Sequence, residues 1–199
     1  MGKIKKEEIW SIPNCMGYFR ILLIPVFCVI YLNADSVKDY YLAAGIVLVS
    51  TITDLFDGKV ARKFNMVTEL GKFVDPFADK LTHGAVALCL CTRYKCMVWL
   101  VVLMAIKEGF MAVMGLINLR RGKKLDGAKW YGKVCTATLF VILGVLVFMP
   151  EISEKIAEVL IFGEMVIMAI VLVLYALSFV KWQNDFKRIR SCIFGKKEL

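Results

Sequence analysis

Long apolar runs separated by short polar turns decide what this chain can become. Residues 18–32 (YFRILLIPVFCVIYL) form the first. The second begins near Tyr40, the third near Phe73, and the rest cover about 97–119, 133–149 and 156–180. A helix needs about 20 largely apolar residues to cross a bilayer. The pattern therefore predicts an all-α integral membrane bundle of six transmembrane helices. Composition agrees: 59% of the 199 residues are hydrophobic, against roughly 45–50% in a soluble domain. A disordered or collagen-like chain is excluded, and the length leaves room for one membrane domain over residues 1–199 without a second, soluble one. Residues 1–12 (MGKIKKEEIWSI) mix charge with Ile4, Ile9, Trp10 and Ile12. They predict an interfacial amphipathic helix with Trp10 at the headgroups, broken by Pro13-Asn14. The first run differs from a secretory signal: Arg20 interrupts its start and no small-x-small cleavage pattern follows.

Charge orients the bundle. Net charge is +9 with 26 Lys and Arg. With six spans, twenty of these fall on the side of both termini, the second-to-third loop and the fourth-to-fifth loop. Only Lys38, Arg93, Lys95 and Lys155 fall on the other side, and Lys80 and Lys107 lie within spans. The positive-inside rule makes both termini cytoplasmic, with 181–199 a basic cytoplasmic tail. This predicts a multi-pass protein of the inner (cytoplasmic) membrane. No base-reading motif accompanies the charge, so nucleic acid is not an expected partner. The seven Cys, an odd number mostly inside apolar runs, read as small hydrophobes in a reducing compartment. Cys89, Cys91 and Cys96 lack the CxxC pair and fourth ligand of a zinc site. The single His, His83, excludes mechanisms needing two imidazoles.

The chemistry concentrates in residues 54–79, DLFDGKVARKFNMVTELGKFVDPFAD. Asp54 and Asp57 are three apart and share a face of the second helix. Asp75 and Asp79 are four apart and share a face of the third. The stretch between them is short enough to form a hairpin that would bring the two faces together. Four clustered acids at the cytoplasmic ends of apolar helices repel unless neutralised. Two divalent cations, Mg²⁺ or Mn²⁺, match their oxygen donors and leave positions for phosphate. Asp75 and Asp79 alone could be helix caps, whereas Asp54 and Asp57 stand at the dipole's wrong end for that role. Gly58 and Ala61 continue the acidic face without bulk and open a slot for a nucleotide. Arg62 supplies a guanidinium fork for phosphate, and Gly71 gives a second bare surface. Pro76 is expected in the first turn of the third helix.

Every fixed position of DxxDGxxARx₈GxxxDxxxD is filled, and this resembles the signature of the CDP-alcohol phosphatidyltransferase family (class I). The likeness extends over the chain, since an N-terminal amphipathic helix, six spans and cytoplasmic termini are that family's architecture. It implies that Asp54, Asp57 and Asp75 are the principal ligands of two metal ions. Asp79 would be the general base and would also touch a metal. Asp54, Gly58, Ala61, Arg62 and Gly71 would bind CDP. An acceptor hydroxyl would attack the β-phosphorus of CDP-diacylglycerol and CMP would leave. A homodimer is expected on the family's habit alone.

Several residues bear on the acceptor. Ile12 to Arg20 (IPNCMGYFR) resembles the IPNxxxxxR opening of the phosphatidylglycerophosphate and cardiolipin synthases within that family. Arg20 thus faces an acceptor pocket or snorkels at the interface. The loop RRGKKLDGAKWYGKV places Arg120 and Lys133 among a group of cations that would draw in a phosphorylated alcohol. Gly132-Lys133 resembles the GK opening the fifth helix of glycerophosphate-using members. Those members carry RE in the fourth helix and GKxKT in the fifth; here Lys107-Glu108 and GKVCT stand instead. Lys107 either faces the acceptor or pairs with Glu108 or Glu164. His83, one turn beyond Asp79, either tunes that acid or is a satisfied polar residue of the bundle. Glycerol 3-phosphate is the expected acceptor, with phosphatidylglycerol (cardiolipin synthesis) and inositol phosphate as alternatives. A small divalent-cation transporter is the non-enzyme alternative; it would place acids near the midplane on broken helices rather than at one interface. A scaffold with inert acids is another.

Overall fold

A computed structural model describes residues 11–63, 71–120 and 129–194, and for 12–13, 55, 57–63, 72–73, 119 and 181–194 the course of the backbone alone. Among these residues there are six helices and no strand: α1 (Ile12–Leu32), α2 (Val37–Lys63), α3 (Gly71–Leu90), α4 (Met97–Arg120), α5 (Trp130–Phe148) and α6 (Glu154–Phe194). The turns expected near 33–39, 92–96 and 150–155 match the short connections 33–36, 91–96 and 149–153, which make the helices they join antiparallel neighbours. Local chemistry closes the first of these turns. Asn33 Nδ2 donates to the Val29 carbonyl at 2.7 Å, while Asp39 Oδ2 accepts from the Ser36 N–H at 2.9 Å and its hydroxyl at 2.8 Å. The second pair resembles a capping box opening α2.

Among the described residues, four stretches are long and apolar enough to cross a membrane: Asn14–Leu32, Met97–Asn118, Trp130–Phe148 and Glu154–Val180. The α2 and α3 helices reach the necessary length, but α2 carries Asp54 and Asp57, and α3 carries Asp75, Asp79 and Lys80. The bundle is thus an all-helical membrane protein with four apolar crossing helices among its six. Large apolar side chains face outward on every helix, as lipid requires; Trp99 and Trp130, each near the start of its helix, are 67% and 75% exposed.

Pro13 lies in the first turn of α1, where its missing N–H costs nothing, just after Ser11 in extended conformation. Two local expectations change. Pro76 is not in the first turn of α3, because that helix already runs at Gly71, five residues earlier. The basic segment after 180 continues α6 to Phe194; neither Gly nor Pro occurs between 164 and 194 to stop it. The expected interfacial helix, with residues 1–10, lies outside the described residues.

The packing places α3 centrally, against α1, α4 and α5. The α1 helix also meets α2, α6 meets α4 and α5, and α2 meets α5. Ala43, Ala44, Ala78 and Ala87 are essentially inaccessible, and such small residues let helix backbones approach closely in a membrane. The result is a wedge between α1, α2, α3 and α5 in which the charged residues of four helices meet.

Candidate active site

Arg20, on α1, organises the wedge. Its side chain is 4% exposed, whereas Asp54 and Asp79 are 37% and 42% exposed. The guanidinium reaches Asp54 Oδ1 through Nη1 at 2.5 Å and pairs through Nη2 with Asp79 Oδ1. One buried cation therefore ties α1 to both acidic helices. Of its two sequence readings, the snorkelling one is displaced: the head points inward, where its planar fork serves two carboxylates at once.

Asp75 stands one turn before Asp79 on α3. Among the described residues its Oδ1 is buried with no hydrogen-bond partner, and the charges of Arg20, Asp54 and Asp79 all act on it. It faces α1 at Gly17, where an added Cβ would sit 3.6 Å from Asp75 Oδ1 and 2.9 Å from Val74 Cγ1. Gly17 to Arg20 on α1 thus lies alongside Asp75 to Asp79 on α3. Sequence reasoning passed over Gly17, since only a neighbour 57 residues away reveals the need for a bare backbone there. Gly17→Val is expected to push α1 off α3 and lower the midpoint of thermal unfolding in detergent by several degrees. An unchanged midpoint would mean that the close approach carries no weight.

A cavity of about 530 Å³ opens beside this cluster. It is lined by Arg20 of α1, Thr51 and Asp54 of α2, Asp79, Thr82 and His83 of α3, and Lys133 and Thr136 of α5. Lys133, Thr136, Ala137 and Phe140 follow helical spacing and form one face of α5. Gly132 lets α6 close in behind: a Cβ there would collide with the Tyr175 hydroxyl. The threonines share one arrangement. Thr51, Thr82 and Thr136 donate their hydroxyls to the carbonyls of Val47 (2.9 Å), Ala78 (2.9 Å) and Gly132 (3.1 Å). Each donor is thereby used, leaving lone pairs facing the cavity. Of the three, the sequence reading touched only Thr136, as the last letter of GKVCT. His83 packs its ring 5.8 Å from that of Phe140 in the same wall.

The other expected residues divide. Gly71 is buried at the start of α3. The backbone of α2 carries Asp57, Gly58, Ala61 and Arg62 in its last turns, and their side chains lie outside the described residues. Arg120 is exposed at the end of α4, away from the cavity wall. Lys107 is not in that wall either. It is buried and pairs with Glu108 at 3.2 Å, which also binds Lys80 at 2.6 Å. Lys107 Nζ lies 4.0 Å from Cys135 Sγ, which lies 4.0 Å from Oε1 of the inaccessible Glu164. The six cysteines with described side chains are all free thiols.

Among the described residues, no three or more His, Cys, Asp or Glu side chains form a finished metal cage. The donor set nevertheless suits a hard divalent cation. Its ligand atoms are carboxylate oxygens, and Asp75 Oδ1 is buried with no donor to it among the described residues.

Comparison with known proteins decides the family. Residues 10–181 match the sequence profile of CDP-alcohol phosphatidyltransferase. The chain belongs to the CDP-alcohol phosphatidyltransferase family. It is similar to the CDP-diacylglycerol--glycerol-3-phosphate 3-phosphatidyltransferase of Escherichia coli (strain K12), 32% identical over 157 residues, covering 77% of this chain and 85% of that protein. It is also similar to the probable phosphatidylglycerophosphate synthase of Mycobacterium tuberculosis (strain H37Rv), 29% identical over 168 residues, covering 83% and 79%.

Proposed function

We propose that this chain is a phospholipid-synthesising transferase that moves a phosphatidyl group from CDP-diacylglycerol to glycerol 3-phosphate, releasing CMP and forming phosphatidylglycerophosphate. The observation that carries this reading is the shared cavity: Asp79, Arg20 and Lys133 come from three helices and open on one space. A carboxylate able to take a proton thus stands beside cations able to hold a phosphate. The relatives' names add weight to the choice of glycerol 3-phosphate.

In this scheme the acceptor hydroxyl attacks the β-phosphorus, the bond to the CMP oxygen breaks, and Asp79 takes the hydroxyl proton. An alcohol becomes a competent nucleophile only when that proton has a destination. Lys133 holds the acceptor's phosphate as a point charge at the mouth of α5. The lone pairs of Thr51, Thr82 and Thr136 accept from the polyol's hydroxyls. Gly58, Ala61, Arg62 and Gly71 form the CDP side of the site. Asp54, Asp57 and Asp75, with Asp79, would hold two divalent ions, Mg²⁺ or Mn²⁺. Such ions, when bound, neutralise the acids and draw charge from the diphosphate.

The active site and both termini face the cytoplasm in this reading, with α2 and α3 completing six spans and the domain filling residues 1–199. The lysine and arginine bias supports that orientation.

The deciding experiment offers purified protein CDP-diacylglycerol, Mg²⁺ or Mn²⁺, and in turn glycerol 3-phosphate, phosphatidylglycerol, inositol 1-phosphate and serine. Metal-dependent CMP release with glycerol 3-phosphate alone is expected. Turnover with phosphatidylglycerol instead would make the chain a cardiolipin synthase. Lys133→Ala is expected to raise the KM for glycerol 3-phosphate by about ten- to a hundredfold, the worth of one charge-assisted contact. The KM for the liponucleotide should move far less, and equal rises in both would remove Lys133 from the acceptor site.

A further inference from the structure

The register of α1 against α3 continues past the acidic site to the far end of the bundle. Gly17 meets Val74 and Asp75, Arg20 meets Asp79, and Cys28 meets Cys89, so the two helices run side by side in the same direction. Cys28 stands one turn before the end of α1 at Leu32, and Cys89 is the penultimate residue of α3. Their thiols share a hydrogen bond. Both pack into one apolar cluster with Phe27, Tyr31 and Leu90. The sulfurs are therefore within side-chain movement of the bonded separation of about 2 Å. Cys91 and Cys96 follow in the connection from α3 to α4, which gathers four of the seven cysteines at the end opposite the aspartates. Cys91 is turned away from the pair. It lies two residues beyond Cys89, a spacing that does not share a helix face, and its thiol donates to the Ala87 carbonyl at 3.3 Å.

We propose that Cys28 and Cys89 are an oxidation site, a dithiol that a small-molecule disulfide converts into a covalent bond between α1 and α3. Cys28 is partly exposed and Cys89 only 4% exposed, which sets the order of events. The Cys28 thiolate attacks one sulfur of the small disulfide, and the other sulfur leaves as a thiolate. The Cys89 thiolate then attacks the Cys28 sulfur and expels the second small thiolate. The two protein thiols give up two electrons and two protons in all. The small disulfide is reduced by those electrons to two thiols, which take up the protons.

By sequence these residues read as small hydrophobes of a reducing compartment. The fold adds what spacing along the chain does not contain, a pair of thiols face to face. In the orientation that the lysine and arginine bias supports, their end of the bundle lies toward the exterior, where disulfides persist. The bond closes a loop from 28 to 89 that contains α2 and all four aspartates, and it pins the interface that carries Gly17 and Arg20. A cross-link over so long a loop acts mainly by restricting the unfolded chain. The exchange requires neither metal nor lipid substrate, so it stands apart from the transferase reading.

The test treats the purified protein in detergent with one equivalent of 2,2′-dithiodipyridine and blocks the remaining thiols with N-ethylmaleimide after unfolding. Disulfides are then mapped by mass spectrometry of a non-reduced digest. A peptide pair joined through Cys28 and Cys89, and cleaved by dithiothreitol, is expected, with two fewer alkylated cysteines than the seven of the reduced protein. The oxidised protein is expected to unfold about 5–10 °C above the reduced one. The double variant Cys91→Ala/Cys96→Ala keeps both results, and Cys28→Ala loses both. A bond between Cys91 and Cys96 instead, or reagent left on single cysteines with no bond between α1 and α3, overturns the proposal. If Cys28→Ala does not fold, the disulfide map of the unaltered protein decides by itself between these outcomes.

Discussion

Asp79→Asn is expected to lower kcat by about 10²- to 10⁴-fold, the usual worth of a positioned general base, while the liponucleotide still binds. The substitution keeps the shape of the side chain and one oxygen for Arg20 to hold. It removes the charge and the capacity to accept a proton from the acceptor hydroxyl. Asp79 is suited to that role by position: it opens on the cavity that also contains Lys133, and it stands one turn from the hydrogen-bond-deficient Asp75. CMP release and CDP-diacylglycerol affinity should be measured on the same preparation. Turnover within tenfold of the unaltered protein would take the base away from Asp79. A parallel loss of liponucleotide binding would make it chiefly a ligand of the donor's end of the site.

Lys107→Met is expected to cost about 3–5 kcal/mol of stability, the range for removing one partner of a buried charge pair. Lys107 is 5% exposed and Glu164 is wholly inaccessible. Among the described residues Glu164 Oε2 has no hydrogen-bond partner; a Thr138 hydrogen bond and the charge of Lys107 act on this carboxylate, with Cys135 between Lys107 and Glu164. Without the ammonium, Glu164 loses a nearby positive charge among α4, α5 and α6 and keeps its Thr138 contact, and Glu108 keeps Lys80. Adding Glu164→Leu to the same chain is expected to recover much of the loss, because an apolar replacement of a whole buried pair is close to neutral. Thermal unfolding in detergent of both singles and the double closes the cycle. Strictly additive effects would show that the two residues do not interact.

These two residues illustrate different kinds of legibility. Asp79 was readable because its partners in sequence, Asp75 four residues back and the Asp54/Asp57 pair, follow helical spacing, and spacing on one helix is a local property. The role of Lys107 was left open between an acceptor contact and an ion pair. Its neighbours Cys135 and Glu164 lie 28 and 57 positions away, and only helix packing brings them together. The same holds for Arg20, which pairs with an aspartate 59 residues on, and for Gly17.

What the sequence by itself determined is the class of molecule and where its acidic motif lies. Apolar run length fixes helices to a bilayer, because unpaired backbone groups have no place in hydrocarbon. The acids of residues 54–79 fall in pairs on shared helix faces, because three- and four-residue spacings are properties of single helices. What only the tertiary structure decided is which way each helix is turned. Rotation of α1 sends Arg20 inward to two carboxylates, and rotation of α5 gives Lys133 to the cavity while Cys135 goes to the buried charges. Those rotations are set by close contacts between helices distant in sequence, and hydropathy along one segment contains no record of them.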